Sequence, residues 1–333
     1  MSFGLLVGSL LAAAGCGSSQ ESAKDPVQAQ PAAARSDLAT AQSVDISKFP
    51  KPRAGQSIED FAAQFDGSGP QAIAATSIFR PPRDRIAFGL LDASQKLAYG
   101  PTVVYVQRRG AAGGVLGPIA APADALITEP RYRSQQAATD KDAFAAIYEA
   151  EAPLAQPGIY QVLAVSDVAG RRIGAAMAVQ VKSRAEDRIP DVGEQAPRVQ
   201  TDTRSTVKGD VSLLDTRLPP APELATKSFT DVVTKKPVAL LFSTPQLCQS
   251  RVCGPVTDEM LQLKARYGDK MTFIHQEVYV DNKVDEGLRP SLQRFGLHSE
   301  PWLFTVRKDG TIAARLEGAF GLRAFEDAVK AAL

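Results

Sequence analysis

A chain of 333 residues is long enough for two ordinary domains plus tails, and its 44% apolar content is that of a globular protein. The formal net charge of +1 gives no electrostatic case for binding nucleic acid or acidic lipid. Three cysteines and two histidines leave little material for a His-rich metal site, and no metal or other cofactor is expected.

Residues 1–15 carry the apolar run Leu5-Leu6-Val7-Gly8-Ser9-Leu10-Leu11-Ala12-Ala13-Ala14-Gly15. It is too short to span a bilayer and ends in small residues, as a cleaved secretory signal does. Ala13-Ala14-Gly15-Cys16 resembles a bacterial lipobox, although Ala13 stands where Leu is usual. The resemblance implies cleavage before Cys16, lipid on its thiol, and a protein anchored at the extracytoplasmic face of the cell membrane. The other reading is a plain cleaved signal with an incidental cysteine. From residue 16 to 72 the chain is rich in Ser, Gln, Ala, Asp, Pro and Gly, with one short helical possibility from Ile58 to Phe65, and it is expected to be a disordered tether.

Residues 73–184 predict an all-β domain. Strand-like segments are Arg85 to Asp92, Thr102 to Gln107, Phe144 to Glu151, Gly158 to Val165 and Ile173 to Val181. Turn signals at Asp92-Ala93-Ser94, Gly113-Gly114, Gln156-Pro157-Gly158 and Ala169-Gly170 separate them, which suggests an antiparallel sandwich. Pro157-Gly158-Ile159-Tyr160-Gln161-Val162, a turn and a last strand resemble the final hairpin of bacterial immunoglobulin-like domains. The segment holds no His, Cys or carboxylate cluster, and a spacer or docking module is the expected role. Residues 185–222 are charged and Pro-containing, a linker or an extension of the next domain. Within them, Val192-Gly193-Glu194-Gln195-Ala196-Pro197 is similar to the opening of peroxiredoxins and membrane-anchored thioredoxin-like proteins.

Residues 223–333 alternate between strand and helix patterns. A short helix is expected from Ser228 to Thr234, then the apolar strand Val238 to Phe242, then a loop holding Cys248 and Cys253. A helix follows through Tyr267 to Gly268, a natural C-cap. Met271 to Tyr279 reads as a strand and Leu288 to Phe295 as a short helix. Trp302 to Val306 and Thr311 to Glu317 flank Asp309-Gly310, a strong hairpin signal, and Leu322 to Leu333 is a final helix. A strand delivering cysteines to a helix entrance is how a fold makes a reactive thiol, because the unpaired N–H groups there stabilise the anion.

The order β-α-β-α-β-β-α resembles the thioredoxin-like superfamily over roughly the last 110 residues. Cys253-Gly254-Pro255 is similar to the active-site Cys-Gly-Pro, and Glu300-Pro301 precedes a strand where thioredoxins place a cis-proline facing the cysteines. Val256 stands where the second thioredoxin cysteine would fall. Thr244-Pro245-x-x-Cys248-x4-Cys253 is also similar to the Q-type peroxiredoxins, which carry a peroxidatic and a resolving cysteine with that gap; here Pro245 occupies their Thr position. The fold class is therefore multidomain, an all-β immunoglobulin-like sandwich followed by an α/β thioredoxin-like domain.

With Cys16 lipidated, Cys248 and Cys253 are left five positions apart in an oxidising compartment. Two registers are open. In one, Cys253 starts the helix and Cys248 lies in the loop. In the other, Cys248 starts it. Five helical residues rise about 7.5 Å, past the roughly 7 Å Cα limit for a disulfide, so only the first allows a relaxed Cys248–Cys253 bond. Pro255 favours it too, since proline is tolerated in a first turn and not in an interior. Cys253 at the helix start is then the expected faster thiol, with Arg251 a nearby cation or simply an exposed loop residue.

The expected activity is thiol–disulfide exchange with exported proteins, using Cys253 and Cys248, with Pro301 shaping the substrate groove and Arg251 aiding the thiolate. The alternatives are a non-catalytic surface lipoprotein with a structural disulfide, and a thiol peroxidase. His275 is expected as a strand residue and His298 lies nearer the active face. Glu277, Tyr279, Asp281 and Asn282 are expected as loop-capping residues, and Trp302 and Phe304 as core.

Overall fold

A computed structural model describes residues 32–333 except 93, 95, 140–144, 169 and 249. The expected signal sequence, Cys16 and the expected tether as far as residue 31 lie outside the described residues. No helix among the described residues is long and apolar enough to cross a membrane.

Eight strands build the first half: β1 Gln71–Ala74, β2 Asp84–Leu91, β3 Thr102–Arg108, β4 Leu116–Ala120, β5 Ala123–Ala125, β6 Ala146–Ala152, β7 Gly158–Val168 and β8 Arg171–Val181. They form two four-stranded antiparallel sheets, ordered β1-β2-β6-β5 and β4-β3-β7-β8. The period of two sends Ile86, Phe88 and Leu90 of one sheet against Val104, Val106, Val162 and Ala164 of the other, in a shared core.

The tether expected through residue 72 is corrected by the packing of residues 38–65. Helix α1 (Ala32–Ala41) places Leu38 and Ala41 in the sandwich core. Helix α2 (Ile58–Ala62) and the turn before it lay Ile58, Phe61 and Phe49 on Val103, Tyr105, Leu163 and Val165, the outward residues of β3 and β7. Those strands are buried on both faces, which is why β3 opens as an unbroken apolar run rather than an alternating one. The Tyr105 hydroxyl donates to the Pro50 carbonyl at 2.7 Å and the Ile58 amide to Gln107 Oε1 at 2.8 Å.

Between β5 and β6 the chain forms α3 (Gln135–Thr139), and the second half holds α4 (Phe229–Val232), strand β9 (Val238–Phe242), α5 (Cys253–Tyr267), β10 (Thr272–Gln276), α6 (Pro290–Phe295), β11 (Trp302–Val306), β12 (Ile312–Glu317) and α7 (Leu322–Ala332). The sheet order is β10-β9-β11-β12, with β10 parallel to β9 and the other pairings antiparallel. The parallel pair requires a crossover, which α5 supplies. This strand order and the placement of α5 and α7 on one face are the thioredoxin-like arrangement. Alternate residues of β9 serve two cores. Ala239 and Leu241 face α5 and α7, while Val238, Leu240 and Phe242 face Phe229, Leu292 and Phe295.

Residues 185–222 extend the second half. Gln195 bridges Thr311 at the edge of β12, the Gly193 and Ala196 amides donate to the Ile312 and Gly310 carbonyls, and Ile189 and Val199 enter the lower core. The two halves also share a core. Ala87, Leu126 and Ile147 of the sandwich pack with Val252, Val256, Met260, Phe320 and Phe325. Buried Arg85 donates to the Ala319 and Glu317 carbonyls and to Glu149. Asp124 accepts the Arg323 and Ala324 amides and so caps α7 from the sandwich side.

A disulfide at a helix entrance

The site forms where β9 ends. Ser243 and Thr244 leave the strand fully buried, and the loop beyond them turns through Arg251, whose φ of 64° is left-handed. Helix α5 begins at Cys253, the register in which the loop can hold the bond. Cys248 and Cys253 are disulfide-bonded, with their Cα atoms 6.0 Å apart, inside the usual span for such a bridge. The two sulfurs differ in access. Cys253 is 0% exposed, whereas Cys248 is half-buried and its sulfur lies 3.2 Å from the Ser250 hydroxyl.

The Glu300–Pro301 peptide is cis. Trp302 pairs with Phe242, so one step further the register sets Pro301 opposite Ser243, at the point where the chain departs for the cysteine loop. Pro301 is buried and its carbonyl accepts the Gly318 amide at 3.0 Å. Gly318 has φ of 70°, and a Cβ there would meet the Ala75 carbonyl oxygen, so the close approach of the sandwich to this turn requires glycine. Glu317 ties the same turn down: the Ser77 amide donates to it at 2.7 Å and the Ser77 and Ser299 hydroxyls at 2.7 and 3.2 Å.

Beside the disulfide loop lies a cavity of about 510 Å³. Ser250, Arg251 and Val252 form one wall, Ser299 and Glu300 another, and strands β1 and β2 the third. Burial raises the Glu300 carboxyl above its ordinary value. Arg251 is exposed on the cavity side of the loop.

Behind the loop the structure assembles residues expected in a linker or domain extension, within a strand and at a strand end. Asp215, His275 and Glu277 are all buried, each offering a ligand atom within 4.8 Å of the others. His275 Nε2 lies 3.0 Å from the Ser243 carbonyl oxygen. Thr216 donates its amide and hydroxyl to Glu277 Oε1 at 2.7 and 2.8 Å and accepts the Gln246 amide at 3.1 Å, tying the cysteine loop to residues 215–221. Burial raises the Glu277 carboxyl, with His275 and these hydrogen bonds opposing. Glu277 is thus more than a loop cap. Asp215 left no signal in the sequence because nothing local marks it. Asn282 does hold the loop, donating to the Ser212 carbonyl, while Tyr279 bridges Leu288. His298 is exposed and Trp302 and Phe304 are core.

No protein-family model matches the chain, and neither does any curated protein. Among solved structures, the chain is similar to a protein assigned as thiol:disulfide interchange protein DsbE from Chlorobium tepidum, at 16% identity and a TM-score of 0.31, over 43% of this chain and 97% of that one. It is similar to a thioredoxin-like superfamily protein at 13% identity and a TM-score of 0.26, over 33% and 88%. A titin M10–obscurin-like 1 Ig complex matches at 18% identity and a TM-score of 0.17, over 35% and 97%.

Proposed function

We propose that this chain is a thiol–disulfide oxidoreductase of exported proteins, held at the extracytoplasmic membrane face by lipid on Cys16, with an immunoglobulin-like sandwich walling its substrate groove. One observation carries the reading: a Cys248–Cys253 disulfide at the first residue of α5, in the loop that leaves β9 where cis-Pro301 stands opposite Ser243, with one cysteine half-exposed and the other buried. That difference in access reverses the sequence-based preference for Cys253 as the attacking thiol. The anion-stabilising helix start favours Cys253, but its buried sulfur is out of reach of a partner disulfide.

In the reduced protein the Cys248 thiolate attacks one sulfur of a partner disulfide, and the departing partner thiolate takes a proton. Cys253, as thiolate, then attacks the Cys248 sulfur and releases the second partner thiol. The partner gains two electrons, Cys248 and Cys253 become a disulfide, and an external dithiol of an exported or membrane reductase restores the pair. Pulse alkylation of the reduced protein with mass mapping tests this. Cys248 should alkylate at least tenfold faster than Cys253 near pH 7. Cys253→Ser should trap a mixed disulfide with a protein substrate, and Cys248→Ser should not. Absence of that trapped species from Cys253→Ser removes the assignment.

The burial of Cys253 also favours a second reading, a non-catalytic surface lipoprotein with a structural disulfide. The reduction potential separates the two. A value above about −300 mV belongs to a labile pair and one well below it to a structural bond.

A further inference from the structure

Three buried side chains behind the cysteine loop are held by hydrogen bonds from the surrounding chain, and each presents an atom to a common centre. The Ser243 carbonyl oxygen can only accept, so the His275 Nε2 at 3.0 Å from it carries the proton and donates. That leaves Nδ1 facing Asp215 Oδ1 at 3.7 Å. Asp215 Oδ2 is held by the Ala221 amide at 2.7 Å, and Oδ1 accepts the Arg217 amide at 2.9 Å. Glu277 Oε1 is held twice by Thr216, and its Oε2 has no hydrogen-bond partner among the described residues. The Thr244 hydroxyl, 0% exposed, lies against the Glu277 carboxylate at a geometry that completes no hydrogen bond.

The 3.7 Å separation is the informative number. It is longer than the roughly 2.7–3.2 Å of an N–H···O hydrogen bond, so a proton on Nδ1 is not shared with Asp215 at that distance. A bare Nδ1 lone pair beside a carboxylate is repulsive. Ligands about 2.0–2.1 Å from a tetrahedral zinc stand about 3.4 Å apart, close to what is seen. A divalent cation also neutralises the two buried carboxylates, which burial otherwise penalises. The pattern of held outer atoms is the one metal sites use to orient their ligands: the far imidazole nitrogen on a carbonyl, the carboxylates on backbone and hydroxyl donors.

We infer that Asp215, His275 and Glu277 form a zinc site, with the Thr244 hydroxyl or a water completing the coordination. Among the described residues this is the one cluster of His, Cys, Asp and Glu with ligand spacing. The site takes its ligands from residues 215–221 and from β10 and its end. Through Ser243 and the Gln246–Thr216 bond it reaches the base of the cysteine loop. The metal fastens that loop and does not depend on the redox assignment.

The test uses oxidised full-length protein with Cys16→Ser, so that no free thiol competes. The protein is stripped with chelator, dialysed against Zn²⁺ and gel-filtered, and zinc is counted per chain. Co²⁺ substitution is read by its visible ligand-field bands. One zinc per chain and the intense bands of a tetrahedral site are expected, with zinc affinity at least tenfold lower in Glu277→Gln and in Asp215→Asn. Thr216→Val, which keeps every ligand, should lower affinity about 10–100-fold. Wild-type protein that retains no zinc overturns the proposal whether or not the variants fold. So does binding that is unchanged in both carboxylate variants, or a nitrogen-15 spectrum showing His275 protonated on both nitrogens in the zinc-dialysed protein.

Discussion

Glu149 is the residue whose chemistry most directly sets a solution property of this protein. It is buried between the sandwich and α7, and that burial pushes its carboxyl up to about 7 from 4.5 even though Arg85 opposes the shift. A group whose folded pKa is raised keeps its proton in the folded state after the unfolded chain has released it. Stability from this group is therefore complete below about pH 4.5 and is lost as pH rises to about 7. The amount is on the order of 3 kcal/mol at 1.36 kcal/mol per pH unit. Wild-type protein should be more resistant to urea at pH 5 than at pH 7.5, and Glu149→Gln should flatten that slope. An equal slope in the variant assigns the pH dependence elsewhere, with Glu259 the next candidate. That carboxyl is 0% exposed, has no hydrogen-bond partner on either oxygen and is held well above its ordinary value by burial and by neighbouring Asp124 and Glu149.

At the scale of elements, Phe61 shows how α2 belongs to the fold. Its ring is 1% exposed and packs 4.5 Å, centroid to centroid, from Tyr105. Phe61→Ala should destabilise the sandwich by about 3–5 kcal/mol, the usual cost of emptying such a site, measured by chemical denaturation; a loss under 1 kcal/mol would mean that this segment is the tether its composition suggests. The same element explains where sequence reading stops. Strands β2, β3, β7 and β8, the Asp309-Gly310 hairpin, α5 and α7 could all be read, because periodicity and turn chemistry are local signals. So could the cysteine register, because helix rise and Pro255 decide between two options. The short helix from Ile58 could be read too, but the docking of residues 38–65 could not, since their few apolar side chains cover strands that lie far away in sequence. Strands β1, β4 and β5 are three to five residues long and carry too few positions for a pattern. Asp215 escaped notice for the same reason as Phe61: its partners, His275 and Glu277, are some 60 residues on.

For the whole molecule, the shared core between sandwich and thioredoxin-like half decides what can exist alone. A fragment of residues 185–333 would leave Val252, Val256, Met260, Phe320 and Phe325 facing water in place of Ala87, Leu126 and Ile147. It would also lose Arg85 and Asp124 from the carbonyls and amides they satisfy. Such a fragment should bind an apolar dye and unfold in a broader, earlier transition than the intact chain, as followed by circular dichroism. A sharp transition at the full-length midpoint would show that the halves are independent.

Asp124 and the helix it caps are separated by about 200 positions of chain. A polypeptide that leaves its machinery N-terminus first has both sheets of the sandwich available long before the eleven residues of α7 arrive. Until then one side of the sandwich waits, with the core that Ala87, Leu126 and Ile147 share with Val252, Val256 and Met260 lacking Phe325 and Val329, and Asp124 without the amides it will accept. Helix α7 is thus a clasp, fastened only after the strands of both halves have been made. A chain stopped at residue 321 would carry both cysteines, cis-Pro301 and the Asp215–His275–Glu277 cluster, yet to any chaperone or protease that senses bare apolar surface it would read as unfinished.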